Sequence, residues 1–116
     1  MTEHKLQQDI QLALSEYGHV FRTNAGDFWQ GKNIYIPGYG MVIAHPRRVI
    51  GLPKGFPDLM FIDKDGAAFI EVKTPAGRVS DAQKRFLDIL QGYGVRAGVA
   101  RSVSDAIDII QNGGKK

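Results

Sequence analysis

Apolar residues recur at helical spacing in three parts of the chain. The first predicts a helix over residues 3–17 with Thr2 as its N-cap, and the second a helix over residues 81–93 with Ser80 as its N-cap. The third predicts a helix over residues 103–112. The apolar positions are Leu6, Ile10, Leu14 and Tyr17 in the first helix, Phe86, Leu87, Leu90 and Tyr93 in the second, and Ala106, Ile107 and Ile110 in the third.

Short runs of apolar and β-branched residues predict the strands. Residues 59–62 and 67–72 flank the sequence DKDG, which favours a turn, so they predict an antiparallel hairpin. Residues 20–23 and 95–100 predict two further strands. The predicted order is α-β-β-β-α-β-α, and we expect an α/β fold in which helices cover both faces of a mixed central sheet.

Residues 31–57 have a different character. They contain four of the five prolines and five of the glycines, with several aromatic residues between them. We expect little regular structure here beyond a short hairpin, in which residues 33–36 and 41–44 flank a PGYG turn. Long segments with little regular structure are usually functional or mobile.

Composition indicates one globular domain. We expect it to span residues 1–112, followed by a flexible basic tail over residues 113–116. The net charge of +3 is only weak support for a polyanionic partner. The chain has no cysteine, which excludes disulfides, thiolate zinc sites and a cysteine nucleophile. With neither a signal-peptide pattern nor a long apolar run, we expect a cytoplasmic location.

The predicted hairpin brings two carboxylates together. Its register places Asp58 opposite Glu71, where like charges are destabilising unless a cation lies between them. Glu71 and Lys73 share one face of the strand, and the carbonyl of Val72 lies between them. This set suits metal-assisted hydrolysis of a phosphodiester. A two-residue slip would instead pair Asp58 with Lys73 in an ordinary ion pair.

Four sequence segments carry a family resemblance. Residues 55–58, GFPD, and residues 71–73, EVK, are separated by twelve residues and resemble the core motif of the PD-(D/E)xK nuclease superfamily. More narrowly, the chain resembles a stand-alone VRR-NUC domain, because RTNAG at residues 22–26 resembles the family's R-x-N-x-G segment and GRVSDAQK at residues 77–84 its G-x-(L/V)-S-x-x-Q-x segment. The resemblance implies a restriction-endonuclease-like core.

The resemblance also implies roles for the central residues. Asp58, Glu71 and the Val72 carbonyl would hold Mg²⁺ or Mn²⁺, and Lys73 would act on the attacking water. The family usually completes this site with an acid on the first helix. Our candidate as both ligand and catalytic residue is Glu3, with Gln7 or Gln8 as alternatives. An acid in the first turn of a helix also has an ordinary role in stabilising the helix dipole.

Gln83 has two interpretations. The family places this glutamine in the active site. Ser80 and Gln83 also have the spacing of a capping box, in which a glutamine side chain accepts a hydrogen bond from the N-cap backbone.

Basic and polar residues near these motifs are candidate DNA contacts. Asn24 is alternatively a turn residue. Trp29, Tyr35 and Tyr39 are each more typical of packing residues, although the aromatic and basic mixture around them could grip a branched nucleic acid. The candidate DNA-binding residues are Arg22, Asn24, Arg47, Arg48, Lys54, Arg78, Ser80, Lys84 and Arg85.

The resemblance implies a metal-dependent, structure-selective DNA endonuclease. Small stand-alone members resemble Holliday-junction resolvases, so branched DNA is the expected substrate and the cytoplasm of a bacterium or a phage-infected cell the expected location. Cutting two strands needs two active sites, so we expect a homodimer with its interface in residues 31–57. The alternatives are a nuclease acting on flaps, nicks or ends, and a non-catalytic DNA-binding module.

Overall fold

The fold consists of three helices and six strands. A computed structural model describes residues 2–25 and 27–113. Within these residues the elements are α1 (Glu3–Leu14), β1 (His19–Arg22), β2 (Asp27–Ile36), β3 (Gly40–Ile50), β4 (Leu59–Asp63), β5 (Gly66–Val72), α2 (Asp81–Gly92), β6 (Arg96–Ala100) and α3 (Val103–Asn112).

The central sheet has the strand order β1-β4-β5-β6. The β1–β4 and β4–β5 pairs are antiparallel, and the β5–β6 pair is parallel, so the sheet is mixed as predicted. Met60 lies opposite Phe69, and Ile62 lies opposite Ala67. The predicted register is therefore confirmed, and the two-residue slip does not occur.

Helices cover both faces of this sheet. Alternate residues of β5 (Ala68, Ile70 and Val72) are buried in one core with α1 and α3. Phe69 belongs to the opposite face, where Phe56 lies between it and Phe86 of α2. Truncating a fully buried aliphatic side chain of such a core to alanine costs about 2–5 kcal/mol. This packing fixes α2 against the face that also carries Glu71.

The predicted hairpin of residues 33–36 and 41–44 is confirmed. The expectation of little regular structure elsewhere in residues 31–57 was wrong, because both strands extend beyond this hairpin. Strands β2 and β3 form a separate two-stranded sheet and contact mainly each other. We call this two-stranded sheet the arm (residues 27–50). A bulge divides the arm, because Gln30 pairs with Arg47 but Lys32 pairs with Ala44. At the bulge, a Cβ on Gly31 would come within 2.7 Å of the Ala44 carbonyl oxygen. The molecule is accordingly elongated, with extents of 54 × 30 × 28 Å.

Two tyrosines predicted as apolar helix positions are exposed instead. The first helix ends at Leu14, where Ser15 caps it, so Tyr17 lies in the following turn. Tyr93 is the exposed C-cap of α2. In the predicted tail, Gly113 caps α3, and residues 114–116 lie outside the described residues. Over the part of the chain that is described, no helix is long and apolar enough to cross a membrane.

Candidate active site

Asp58 is held at the point where β4 begins. The Thr23 backbone N–H and hydroxyl donate to its carbonyl oxygen at 2.9 and 3.1 Å. Its side-chain Oδ2 accepts a hydrogen bond from the Val72 N–H at 2.9 Å. The Asp58 carboxylate is therefore anchored at the end of β5, beside Glu71, as the hairpin register predicts.

The GFPD sequence also brings α2 close to this carboxylate. Gly55 has a φ of +92°, and a Cβ there would lie 2.8 Å from the Cβ of Ala82, in the first turn of α2. Only glycine permits both the left-handed backbone and this close approach. Phe56 then packs edge-on against Phe69 and Phe86. Gly55 and Phe56 together explain why the start of α2 lies next to the acidic pair.

Glu71 is a buried carboxyl group with incomplete hydrogen bonding. Its side chain is only 1% exposed. Oε2 accepts from Gln83 Nε2 at 3.0 Å and lies 3.8 Å from the Lys73 ammonium. Oε1 is buried and has no hydrogen-bond partner among the described residues. Native proteins rarely leave such an atom unpartnered, and a ligand is one common explanation.

The surroundings of Glu71 disfavour its charged form. Burial is the largest cause that raises its pKa, and the neighbouring Asp58 carboxyl adds to the shift, so that the pKa of Glu71 lies at about 8. The charge of Lys73 lowers this pKa, and that of Glu3 raises it further. An additional cation at the pair would favour the ionised form. The arrangement therefore suits a cation that binds between the two carboxylates.

The capping box of Gln83 is confirmed, and the same side chain also contacts Glu71. Its Oε1 accepts from the Ser80 N–H at 2.8 Å, and its own N–H donates to Ser80 Oγ at 3.1 Å, which completes the capping box. The same side chain uses Nε2 to donate to Glu71. One amide group thus joins the first turn of α2 to the buried carboxyl group.

Replacing Gln83 with alanine is expected to lower both stability and cleavage rate. The Ser80 N–H loses its acceptor, which costs about 1 kcal/mol, while Ser80 Oγ still caps the backbone N–H of residue 83. Glu71 loses the donor to its Oε2. Ser102→Ala is the matched control, because Ser102 caps α3 through the Asp105 N–H at 3.1 Å. Thermal melts and single-turnover cleavage assays separate the two effects. If both variants lose only stability, Gln83 is a cap and nothing more.

An open cleft of about 270 Å³ adjoins Asp58. Gln7 lines it from α1, whereas Glu3 and Gln8 are exposed. Glu3 is near enough for its charge to act on Glu71. Among the described residues, however, no three His, Asp or Glu side chains are grouped closely enough to hold a metal ion. The geometry therefore favours Gln7 as the helix residue beside Asp58.

The comparison with known families agrees with this geometry. The family model of the VRR-NUC domain matches residues 2–104. The chain belongs to the VRR-NUC family. Membership confirms the PD-(D/E)xK-like fold and implies a nuclease that acts on DNA. No curated protein sequence matches the chain.

The candidate DNA-binding residues of this VRR-NUC domain lie in three places. The first group lines the cleft beside Asp58, the second surrounds the start of α2, and the third lies on the arm. Arg47 donates to Gln30 Oε1 at 2.6 Å, so this arginine also supports the arm. The three groups are Arg22 and Asn24 (φ +51°); Lys54, Arg78, Ser80, Lys84 and Arg85; and Arg47 and Arg48.

Sequence reasoning missed two residues that shape the site of this VRR-NUC domain. Thr23 lies inside a recognised motif, yet nothing in its pattern shows that it binds the carbonyls of Pro57 and Asp58. Arg101 lies in no motif, but its guanidinium binds the turn that follows Lys73. Both act through backbone carbonyls, which a sequence pattern does not reveal.

Proposed function

We propose that this VRR-NUC domain is a metal-dependent, structure-selective endonuclease that cuts branched DNA such as Holliday junctions. The observation that carries the proposal is the paired Asp58 and Glu71 carboxyl groups, with Lys73 beside them and one buried oxygen left without a partner. A protein that only bound DNA would have no use for a buried acidic pair close to the phosphates. This favours catalysis over the non-catalytic alternative.

The residues present fit a hard divalent cation. Carboxylate and carbonyl oxygens are the ligands that Mg²⁺ and Mn²⁺ prefer. Asp58, Glu71 and the Val72 carbonyl would hold the ion, with Gln7 or Glu3 completing the set. Such an ion supplies Lewis acidity toward a phosphoryl oxygen and lowers the pKa of a bound water. The unpartnered Oε1 of Glu71 supports the fit, because coordination would satisfy it.

Lys73 contributes a positioned positive charge. Its side chain is 14% exposed, and its ammonium group lies 3.8 Å from Glu71 Oε2. From there it orients the attacking water and stabilises the negative charge that develops on the phosphoryl oxygens. The partly buried position strengthens this interaction, because water screens it less than at the surface.

Cleavage assays test the proposed activity directly. Labelled four-way junctions, flaps, splayed arms, nicked duplexes, plain duplexes and single strands are each incubated with Mg²⁺, Mn²⁺ or a chelator. We expect divalent-dependent cleavage that is fastest on the junction, with paired cuts. Faster cutting of flaps, nicks or ends would retain the nuclease but overturn the junction preference. Binding without cleavage in either metal would instead support the non-catalytic alternative.

The arm supports the proposal of a homodimer. Residues 33–44 contain no charged side chain, although a phosphate-binding arm would need cations there. Cross-strand partners share a face, so Tyr35 and Met41 lie on one face and Ile34 on the other. Both faces are uncovered: Tyr35 and Met41 are 66% and 65% exposed on one face, and Ile34 is 40% exposed on the other. Trp29 and Tyr39 are also exposed, so the expectation that these aromatic residues pack in the core was wrong.

An isolated two-stranded hairpin is only marginally stable in water. Among its described residues the arm exposes seven large apolar side chains, which lie on both of its faces. An aromatic side chain buries about 150–250 Å² when covered, so side chains of this kind are the main source of the roughly 800 Å² that each partner contributes to a standard interface. The uncharged stretch of residues 33–44 matches a second copy of itself, so we propose that the arm forms the interface. The seven residues are Trp29, Ile34, Tyr35, Ile36, Tyr39, Met41 and Ile43.

Charging the arm is expected to separate the dimer. The substitution Tyr35→Glu places a like charge on each side of the interface, so light scattering should show a shift from twice the chain mass to 12.8 kDa. The junction should then be nicked once rather than cut in pairs. Tyr93→Glu is the matched control, because Tyr93 is 84% exposed on α2. A wild-type chain that is monomeric at micromolar concentration contradicts the dimer.

A further inference from the structure

Arg101 holds the turn that leaves the candidate catalytic strand. It directly follows β6, and its Nη1 donates to the carbonyl oxygens of Thr74 and Gly77, at 2.7 Å each, and of Pro75 at 3.3 Å. Its own backbone N–H donates to Asp105 Oδ2 at 2.9 Å, in the first turn of α3. Arg101 is therefore held by α3 through its backbone and by the turn through its guanidinium.

The turn joins two parts of the site. Lys73 extends β5 by one residue, since its N–H donates to the Ala100 carbonyl at 3.0 Å. The chain then reverses, and the Gly77 N–H donates to the Thr74 carbonyl at 2.9 Å. Residues 78–80 lead from this turn to the capping box of α2. The direction in which Lys73 leaves the sheet, and the position of Arg78, both depend on this reversal.

We propose that Arg101 is a positioning residue, which holds Lys73 and Arg78 in place relative to Glu71. This inference rests on the proposed nuclease function. All three bonds come from one guanidinium nitrogen, whose N–H bonds have fixed directions in the guanidinium plane. A lysine ammonium group is a compact point charge whose donors rotate freely, so lysine would hold the three carbonyls less rigidly. Small displacements of groups that act on the reacting atoms lower reaction rates strongly. Arg101 therefore acts through the turn and does not touch the DNA.

Arg96 provides a matched control at the other end of β6. It also binds backbone carbonyls, with Ile110 O at 2.7 Å and Gly66 O at 2.9 Å, and it pairs with Asp63 at 2.8 Å. These groups lie at the β4–β5 turn and at the end of α3, away from Lys73. The two arginines lie at opposite ends of the same strand and make the same type of bond, but only Arg101 is linked to the candidate site.

The test compares Arg101→Lys and Arg101→Gln with Arg96→Lys in the full chain. The readouts are the thermal midpoint, backbone hydrogen exchange, and single-turnover cleavage of whichever substrate the wild type cuts fastest. For both Arg101 variants we expect the maximal rate to fall at least about tenfold, with the half-saturating enzyme concentration nearly unchanged. The Gly77 amide should exchange faster while α2 stays protected. Arg96→Lys should lower the thermal midpoint and leave the rate of the folded protein unchanged.

Three outcomes would overturn the assignment. If the Arg101 and Arg96 variants lose stability alike and cleave at the wild-type rate, Arg101 is only structural. If Arg101→Gln weakens DNA binding and reduces its salt dependence at an unchanged maximal rate, Arg101 contacts phosphate instead. If Arg101→Lys is fully active with normal Gly77 exchange, the directed bonds are unnecessary. A wild type that cleaves no substrate would overturn the proposed function instead, and the exchange data would still report whether Arg101 orders the turn.

Discussion

Replacing Lys73 with alanine is expected to lower the cleavage rate at least about 100-fold while the protein remains folded. The substitution removes the ammonium group 3.8 Å from Glu71 Oε2. The water then loses the charge that orients it, and the phosphoryl oxygens lose a stabilising cation. Glu71 also loses the neighbour that lowers its pKa, so its ionised form becomes less favourable.

The backbone role of Lys73 survives the substitution, because its N–H still donates to Ala100. Circular dichroism, DNA binding and single-turnover cleavage should therefore separate chemistry from folding. Lys64→Ala is the control, since Lys64 is an exposed lysine in the β4–β5 turn. Cleavage by Lys73→Ala within a few-fold of the wild-type rate would place the catalytic centre elsewhere.

Raising the pH from 5 to 8 is expected to destabilise the metal-free protein through Glu71. Its pKa is raised from 4.5 to about 8 in the folded state, mainly by burial. Between these values the folded state keeps a proton that the unfolded state releases, so the free energy of unfolding falls as the pH rises. Relative to Glu71→Gln, which cannot titrate, the wild-type thermal midpoint should fall by about 10 °C across this range.

Melting curves in a chelator measure this difference. Glu71→Gln is a suitable reference because its side chain can still accept the hydrogen bond from Gln83 and cannot ionise. Adding Mg²⁺ should raise the wild-type thermal midpoint more at pH 8 than at pH 5, since protons compete with a cation for the carboxylates. If the thermal midpoints of the wild type and Glu71→Gln change equally with pH, Glu71 is already ionised in the folded state.

Local patterns were sufficient to predict the central part of the molecule. The DKDG turn fixes the register of its hairpin, and that register places Asp58 beside Glu71 and points Val72 into the core. The caps at Thr2 and Ser80 also occur as predicted, because capping depends on residues only three positions apart. Short-range chemistry therefore predicted both the sheet around the site and the acidic pair.

What the sequence did not reveal depends on contacts between distant segments. Arg101 binds carbonyls 24 to 27 positions earlier in the chain, and no residue type marks such a partner. The hairpin at the tip of the arm was predicted, but the full length of its strands was missed because glycine and proline interrupt the alternation by which strands are recognised. Gln83 could not be assigned to a single role, since its oxygen and nitrogen bind different partners.

The place where the arm joins the central sheet has a consequence for how such a domain changes over evolution. β1 and β4 are hydrogen-bonded neighbours, with Arg22 opposite Leu59, so the chain leaves and re-enters the sheet at nearly the same place. The arm lies between these two positions and forms its own sheet. Insertions, deletions or sequence drift in the arm therefore leave the acidic pair intact. If the arm forms the proposed dimer interface, assembly can change there without any change at the acidic pair.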